Sequence, residues 1–275
     1  MDKIELILAC MNKKSTDFII DMNVNMDCVI ANQGSNDSIL RIDSNSHHIT
    51  MINTSDRGVG KNRNIGLLFS KNDILLFGDE DIVYYDGCEK IIANAFKRIP
   101  NADVIIFNAD TNNLSLPRYY IKTITRINKL NYMKYGTYRI AIRNSSLKKA
   151  NIHFSELFGG GCIYGSGEDT LFLLDCLKKK LRIYGFPATL GITNDTVSCW
   201  FNGYNNKYFY DKGALLKCGY PKSYILYILY FLIKFRGKSE IKMRDCRKLL
   251  FAGAKNFKSL IPFCQYKEIE NERNC

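Results

Sequence analysis

Apolar residues occur in short unbroken runs separated by polar, glycine-bearing stretches. Ile4 to Cys10, Cys28-Val29-Ile30-Ala31, Ile49 to Ile52, Ile74-Leu75-Leu76-Phe77 and Val104-Ile105-Ile106-Phe107 are such runs. Runs of that length suit strands covered on both faces. Between them the period lengthens. Lys61 to Ser70 places Ile65, Leu68 and Phe69 on one helical face, and Ile91, Ile92, Ala95, Phe96 and Ile99 recur at helical spacing behind a capping-box spacing of Asp86 and Glu89. Strands alternating with helices over 1–110 predict a βαβ-built, mostly parallel sheet, an α/β fold.

Beyond residue 110 the pattern is less regular. Residues 111–135 are polar and basic and read as a surface excursion. Tyr138 to Arg143 alternates like a half-buried strand, with Arg139 set apart from its apolar neighbours. Leu171, Leu174 and Leu177 mark a helix over Thr170 to Lys180, whose start has the capping spacing Ser166 and Asp169. Leu181 to Tyr184 reads as a further strand ended by Pro187. Tyr224 to Phe235 is apolar but too short to span a bilayer. A basic run from Lys234 to Lys258 follows it, and the tail after Phe263 reads as loose. Two arrangements fit this end: a helical hairpin packed on the core, or a helix held at an anionic membrane surface, where each engaged basic residue contributes about 1 kcal/mol.

Charge sharpens the picture. The 275 residues carry a net charge of +12, implying an anionic partner: nucleic acid, a membrane surface or a phosphorylated substrate. The ten cysteines lie scattered without C-x-x-C pairs, and a strand-like segment begins almost at once after Met1, so reduced thiols and a cytosolic location are expected. His47-His48 reads as a solvated loop pair, and the three histidines suggest no zinc site.

Candidate chemistry lies at strand ends. Asp79, Glu80 and Asp81 follow the run Ile74 to Phe77, where ligands of open parallel sheets collect. Adjacent carboxylates repel one another, and a hard divalent cation that also meets substrate phosphates relieves the repulsion; an acidic β-turn is the alternative. Gly58 and Gly60 precede a helix start beside Lys61 and Arg63 that can face an anion, though a plain capped core helix fits as well. The glycine-rich stretch Phe158 to Gly167 leads into Glu168-Asp169. Carboxylates there suit either catalysis or a helix dipole. From Trp200 to Gly213 aromatics mix with lysines, which suits stacking on sugars or bases beside phosphates, or half-buried core.

In order, an A-N-Q loop, D-R-G-V-G-K-N-R-N-x-G, a strand into G-D-E-D, G-S-G-E-D-T-L-F-L and W-F-N-G-Y-N-x-K-Y-F-Y-D-K-G-A-L resemble bacterial family 2 glycosyltransferases of the GT-A fold, over residues 1 to about 220. The resemblance implies a donor-binding half at 1–110 and an acceptor and catalytic half at 111–220; the apolar and basic residues beyond it read as a basic, amphipathic helical extension at 221–275. It implies Mn²⁺ or Mg²⁺ on Asp79 and Asp81, with Asp81 the first choice as ligand and Glu80 beside them. Arg63 is implied as a nucleotide contact. Cys10, Asn32 and Gln33 fall in the donor region, with Asn32-Gln33 where an aspartate usually reads uracil. Asp169 is implied as the base and Glu168 as its neighbour orienting the acceptor. Lys207 or Lys212 would assist the departing diphosphate, Arg139 would touch the donor and Trp200 the acceptor. The expected partners are a nucleotide-sugar, usually UDP-linked, and a glycan, often lipid-linked, in surface-polysaccharide synthesis at the inner face of the membrane. A nucleic-acid-binding protein, a metal-dependent nucleotidyltransferase and an inactive partner subunit are the rival readings.

Overall fold

A computed structural model describes residues 2–34, 36–43, 47–113, 119–194, 203–237 and 241–274. The first half runs β1 (Ile4–Met11), a short α1 (Phe18–Asp21), β2 (Asp27–Gln33), β3 (Ser38–Asp43), β4 (His48–Thr54), α2 (Val59–Phe69), β5 (Ile74–Asp79), β6 (Ile82–Tyr84), α3 (Cys88–Arg98) and β7 (Val104–Thr111). The second half adds β8 (Thr125–Ile127), β9 (Ile140–Arg143), α4 (Asn144–Ala150), α5 (Glu168–Lys178), β10 (Ile183–Thr193), α6 (Asn206–Gly219), α7 (Tyr224–Lys234), α8 (Met243–Asn256) and α9 (Phe263–Asn274).

The strands form one mixed sheet in the order β3-β4-β2-β1-β5-β9-β7-β10-β6, with β8 paired to β10. β4, β2, β1 and β5 are mutually parallel, as are β7 and β10; β3, β6, β8 and β9 run antiparallel to their neighbours. The apolar runs are continuous because both faces are covered. Leu6, Leu8 and Leu76 pack with Ile92 and Phe96 of α3, whereas Ile7, Leu75 and Phe77 meet Leu67 of α2 and Phe172 of α5 on the other face.

Several expectations are corrected. The Tyr138 to Arg143 stretch is not half-buried: β9 is inserted between β5 and β7, so Ile140, Ala141 and Ile142 are all fully enclosed. The 111–135 excursion sends Ile121, Ile127, Tyr132 and Tyr135 into the core. Pro187 does not end a strand, because β10 continues to Thr193 with its pairing to β7 broken between Gly185 and Thr189, where a missing N–H costs no ladder bond. Neither capping box forms. Gly87 (φ 75°) and Gly167 (φ 121°) occupy the N-cap positions, in backbone conformations that serine and aspartate adopt only with strain. His48 opens β4 with its ring 2.7 Å from Asp43, so the histidine pair is not simply loop.

The C-terminal helices share a core with α6. Phe209, Tyr210 and Leu216 pack with Ile228, Leu250 and Tyr266. Two glycines make the α6–α8 crossing possible: a Cβ on Gly213 would lie 2.0 Å from the Leu250 carbonyl oxygen, and one on Gly253 1.9 Å from that of Tyr210. The tail expected to be loose is α9, held by Tyr266 stacking on Tyr210 at 4.9 Å.

Candidate active site

A cleft of about 370 Å³ opens beyond the carboxyl ends of β1, β2 and β5. It is lined by Cys10, Gln33, Arg63, Asp79, Glu80 and Asp81, by Gly160 and Gly165 to Asp169, and by Asn194. A second cleft of similar volume lies at the opposite ends of the strands, among Lys3, Asp27, His48 and Asn72, far from the acidic turn.

Arg63 organises the first cleft. It is 3% exposed on α2 and donates from Nη2 to Asp79 Oδ1 at 2.7 Å and from Nη1 to Glu168 Oε1 at 3.0 Å. Burial alone would lower its pKa, but the two carboxylates outweigh that and raise it. The guanidinium that the family resemblance assigns to the nucleotide is thus engaged by two acids, tying the end of β5 to the start of α5.

The start of α2 does not face open solvent as an anion site. The Gly58 N–H donates to Gln33 Oε1 at 2.8 Å and the Val59 N–H to the Gly160 carbonyl at 2.9 Å. A Cβ on Gly60 would meet Ser155 O at 2.0 Å, so the 155–161 loop sits directly on this turn. Lys61 pairs with Asp56 at 2.6 Å.

On the acidic turn, Glu80 pairs with Lys13 at 2.7 Å. Asp79 is about a third exposed and Asp81 is exposed on the cleft. Among the described residues no group of three or more His, Cys, Asp or Glu side chains could hold a metal ion. Asp79 and Asp81 supply a pair of hard oxygen donors, which fits a cation that draws its other ligands from water and substrate phosphates, as Mg²⁺ does.

Glu168 and Asp169 open α5 after Gly167, where a Cβ would strike Leu215 at 2.6 Å. Burial raises the Glu168 pKa, as does the Asp169 charge, with Arg63 opposing. Burial likewise raises that of Asp169, against the Thr170 N–H (2.6 Å to Oδ1), Arg63 and Lys212. Lys212 is itself shifted down by burial, with Asp169 opposing, and its Nζ lies 5.9 Å from the Phe231 ring.

The other predicted residues occupy supporting positions. Asn32 is fully buried; its Oδ1 accepts the Lys13 N–H at 2.9 Å and its Nδ2 donates to Lys13 O and Asn53 Oδ1, so its amide shapes the loop after β1. Cys10 presents a neutral thiol, pushed up to about 12 by burial. Lys207 pairs with Asp211, whose Oδ2 also accepts the Gly165 N–H at 2.9 Å. Arg139 is not brought to the cleft: it is buried, donating to the Tyr119 and Lys134 carbonyls. Trp200 lies outside the described residues.

Sequence reasoning missed Lys13, Asn62, Asn194 and Asp211. Asn62 donates to the Cys10 and Ala31 carbonyls, and the Asn194 N–H to the Asp81 carbonyl at 2.8 Å. Lys13 lies two residues past β1, so its place beyond a strand carboxyl end was an available signal; Asn194 follows β10, whose continuation past Pro187 the sequence does not show.

An open mixed sheet flanked by helices thus carries, at the carboxyl ends of its strands, a D-E-D turn and an E-D helix start in one cleft. Residues 13–154 match the model for glycosyl transferase family 2. That is more than half of the chain, which therefore belongs to family 2; the match ends before Glu168. No curated protein matches it. Among solved structures, Staphylococcus aureus TarS 1–349 in complex with UDP-GlcNAc aligns with a TM-score of 0.60 at 15% identity, covering 96% of this chain and 77% of that one. The same TarS segment with UDP gives 0.58 at 16% identity, covering 94% and 72%. Intact TarS gives 0.57 at 16%, with 95% and 44% covered. At such identities the likeness speaks for the fold.

Proposed function

We propose that this glycosyltransferase moves a sugar from a UDP-sugar to a hydroxyl of a lipid-linked glycan, with inversion and with a divalent cation, in surface-polysaccharide synthesis. One observation carries the reading: Arg63 bonds Asp79 and Glu168 at once, which sets the D-E-D turn and Asp169 across one cleft. The choice of UDP is supported by TarS, a relative in fold whose structures hold UDP-GlcNAc and UDP.

Asp79 and Asp81 would hold the cation, which when bound supplies positive charge to the leaving diphosphate. Asp169 takes the proton as the acceptor oxygen forms its bond to the anomeric carbon and the bond to the diphosphate oxygen breaks, the electron pair leaving with UDP. A carboxylate with a raised pKa suits this work near neutral pH, where general-base help is typically ~10²–10⁴-fold. Glu168, fixed by Arg63, orients the acceptor. Lys212 beside Asp169 balances the charge of the ionised base. The domain reading follows: donor half 1–110, acceptor half 111–220, and 221–275 as an extension carrying the lipid-side contacts.

A nucleic-acid reading sits poorly with five carboxylates lining the cleft, which repel phosphates. The test is UDP release from a panel of UDP-sugars, with and without Mn²⁺ and lipid-linked acceptors. Release that depends on both acceptor and Asp169 supports the proposal. Inertness toward every UDP-sugar, with pyrophosphate release from nucleoside triphosphates, would replace it with a nucleotidyltransferase.

A further inference from the structure

α7 has a buried arc and a bare one. Ile228 is fully buried, and Tyr227, Phe231 and Leu232 pack on the core beside it. At 100° per residue, Ile225, Leu226, Leu229, Tyr230 and Ile233 fall within an opposite arc of about 140°. They are 46–77% exposed, Ile233 most of all. No described element covers this stripe, which runs the length of the helix. Isolated exposed apolar residues are ordinary in a folded protein, but a contiguous stripe of five marks an interaction surface.

Charge identifies the occupant. Exposed Lys222 and Arg236 stand just before and just after the helix, and exposed Lys234 follows Ile233 on its last turn. An apolar face with cations at its ends and sides matches a helix lying in the interface of an anionic bilayer, its aliphatic side chains among the acyl chains and its cations at headgroup level. A second copy of the chain fits poorly, since stripe against stripe would bring the same cations together.

We propose that this face of α7 docks the protein on an anionic lipid bilayer. The inner arc of the same helix faces a cation that acts on the base: the Phe231 ring centroid lies 5.9 Å from Lys212 Nζ, and the Lys212 charge favours ionised Asp169. Docking would hold the protein at the surface where a lipid-borne acceptor presents its hydroxyl. Only this last step rests on the transferase reading; the docking itself does not.

The test is flotation of the full chain with vesicles of phosphatidylcholine alone or mixed with phosphatidylglycerol. Wild type should float with the mixed vesicles and little with the neutral ones. Leu226→Glu/Ile233→Glu changes two exposed residues and should keep its melting temperature while binding at least about tenfold more weakly, since each full side-chain burial in lipid is worth more than that. Lys222→Gln/Arg236→Gln should lose about fivefold per charge removed, and the preference for anionic vesicles with it. Failure of wild type to float, or equal flotation of the variants, overturns the proposal. So does a concentration-dependent dimer that the double glutamate variant abolishes while vesicle binding persists. UDP release from the UDP-sugar panel with detergent-dispersed lipid-linked acceptors, measured on the same samples without vesicles, reports the transferase reading separately: its absence with normal flotation sinks that reading and leaves docking intact.

Discussion

Replacing Arg63 by methionine removes the cation between Asp79 and Glu168 while keeping most of its length. The Glu168 side chain is 15% exposed and that of Arg63 4%, so this half of the bridge behaves as a buried ion pair. Removing one partner of such a pair typically costs ~3–5 kcal/mol, because the other charge stays desolvated and alone. Asp79 is 33% exposed and adds less, since water screens it. For a chain of this size the loss corresponds to a fall in melting temperature of roughly 6–20 °C. The sign with pH follows from the orphaned acid. Without Arg63 the folded-state pKa of Glu168, already raised by burial, rises further above its unfolded value. The penalty is therefore full at pH above that raised pKa and shrinks as pH falls through it and Glu168 takes up a proton. Arg63→Met/Glu168→Gln should recover much of the loss at neutral pH for the same reason. Urea unfolding of the four proteins across pH measures this directly. A loss below about 1 kcal/mol, or one independent of pH and of Glu168, would mean that Arg63 is not the tie between the two sides of the cleft.

Other outcomes follow from the same geometry. Asp169→Asn should lower transfer by at least about 10²-fold while UDP still raises the melting temperature; loss of both together would refute the base role. The acid limb of the transfer rate should lie above the ordinary aspartate range, because burial raises the Asp169 pKa, and Lys212→Met, which removes a cation that favours the ionised form, should move the limb further up in pH profiles. Gly253→Ala should destabilise the protein strongly in thermal melts, because its new methyl would sit against the Tyr210 carbonyl; a neutral effect would show that α6 and α8 do not cross so closely.

The first half of the fold was legible because its signals are local. Runs such as Ile74 to Phe77 announce buried parallel strands, and the acids at their carboxyl ends announce a site. What stayed hidden depends on distant partners. Tyr138 to Arg143 reads as half-buried until β5 and β7 close on both sides of it, and Pro187 reads as a stop until the β7 register slips around it. The resemblance implies Arg63 as a nucleotide contact, and nothing in the sequence shows the two carboxylates, 16 and 105 positions away, that hold it. Asn32 stands where the resemblance places a base-reading aspartate, and its bonds to Lys13 and Asn53 are likewise invisible in the sequence.

The central claim is that Asp79 and Asp81 face a UDP-linked donor through a cation. Melting temperature with UDP, GDP, CMP or ATP, each with and without Mn²⁺, on wild type and Asp81→Ala tests it most directly. A ligand at a hundred times its dissociation constant adds about 2.7 kcal/mol, a clear shift. Stabilisation by UDP that needs Mn²⁺ and disappears in Asp81→Ala is the expected result. Stabilisation by no nucleotide, or by another one regardless of Asp81, would contradict it.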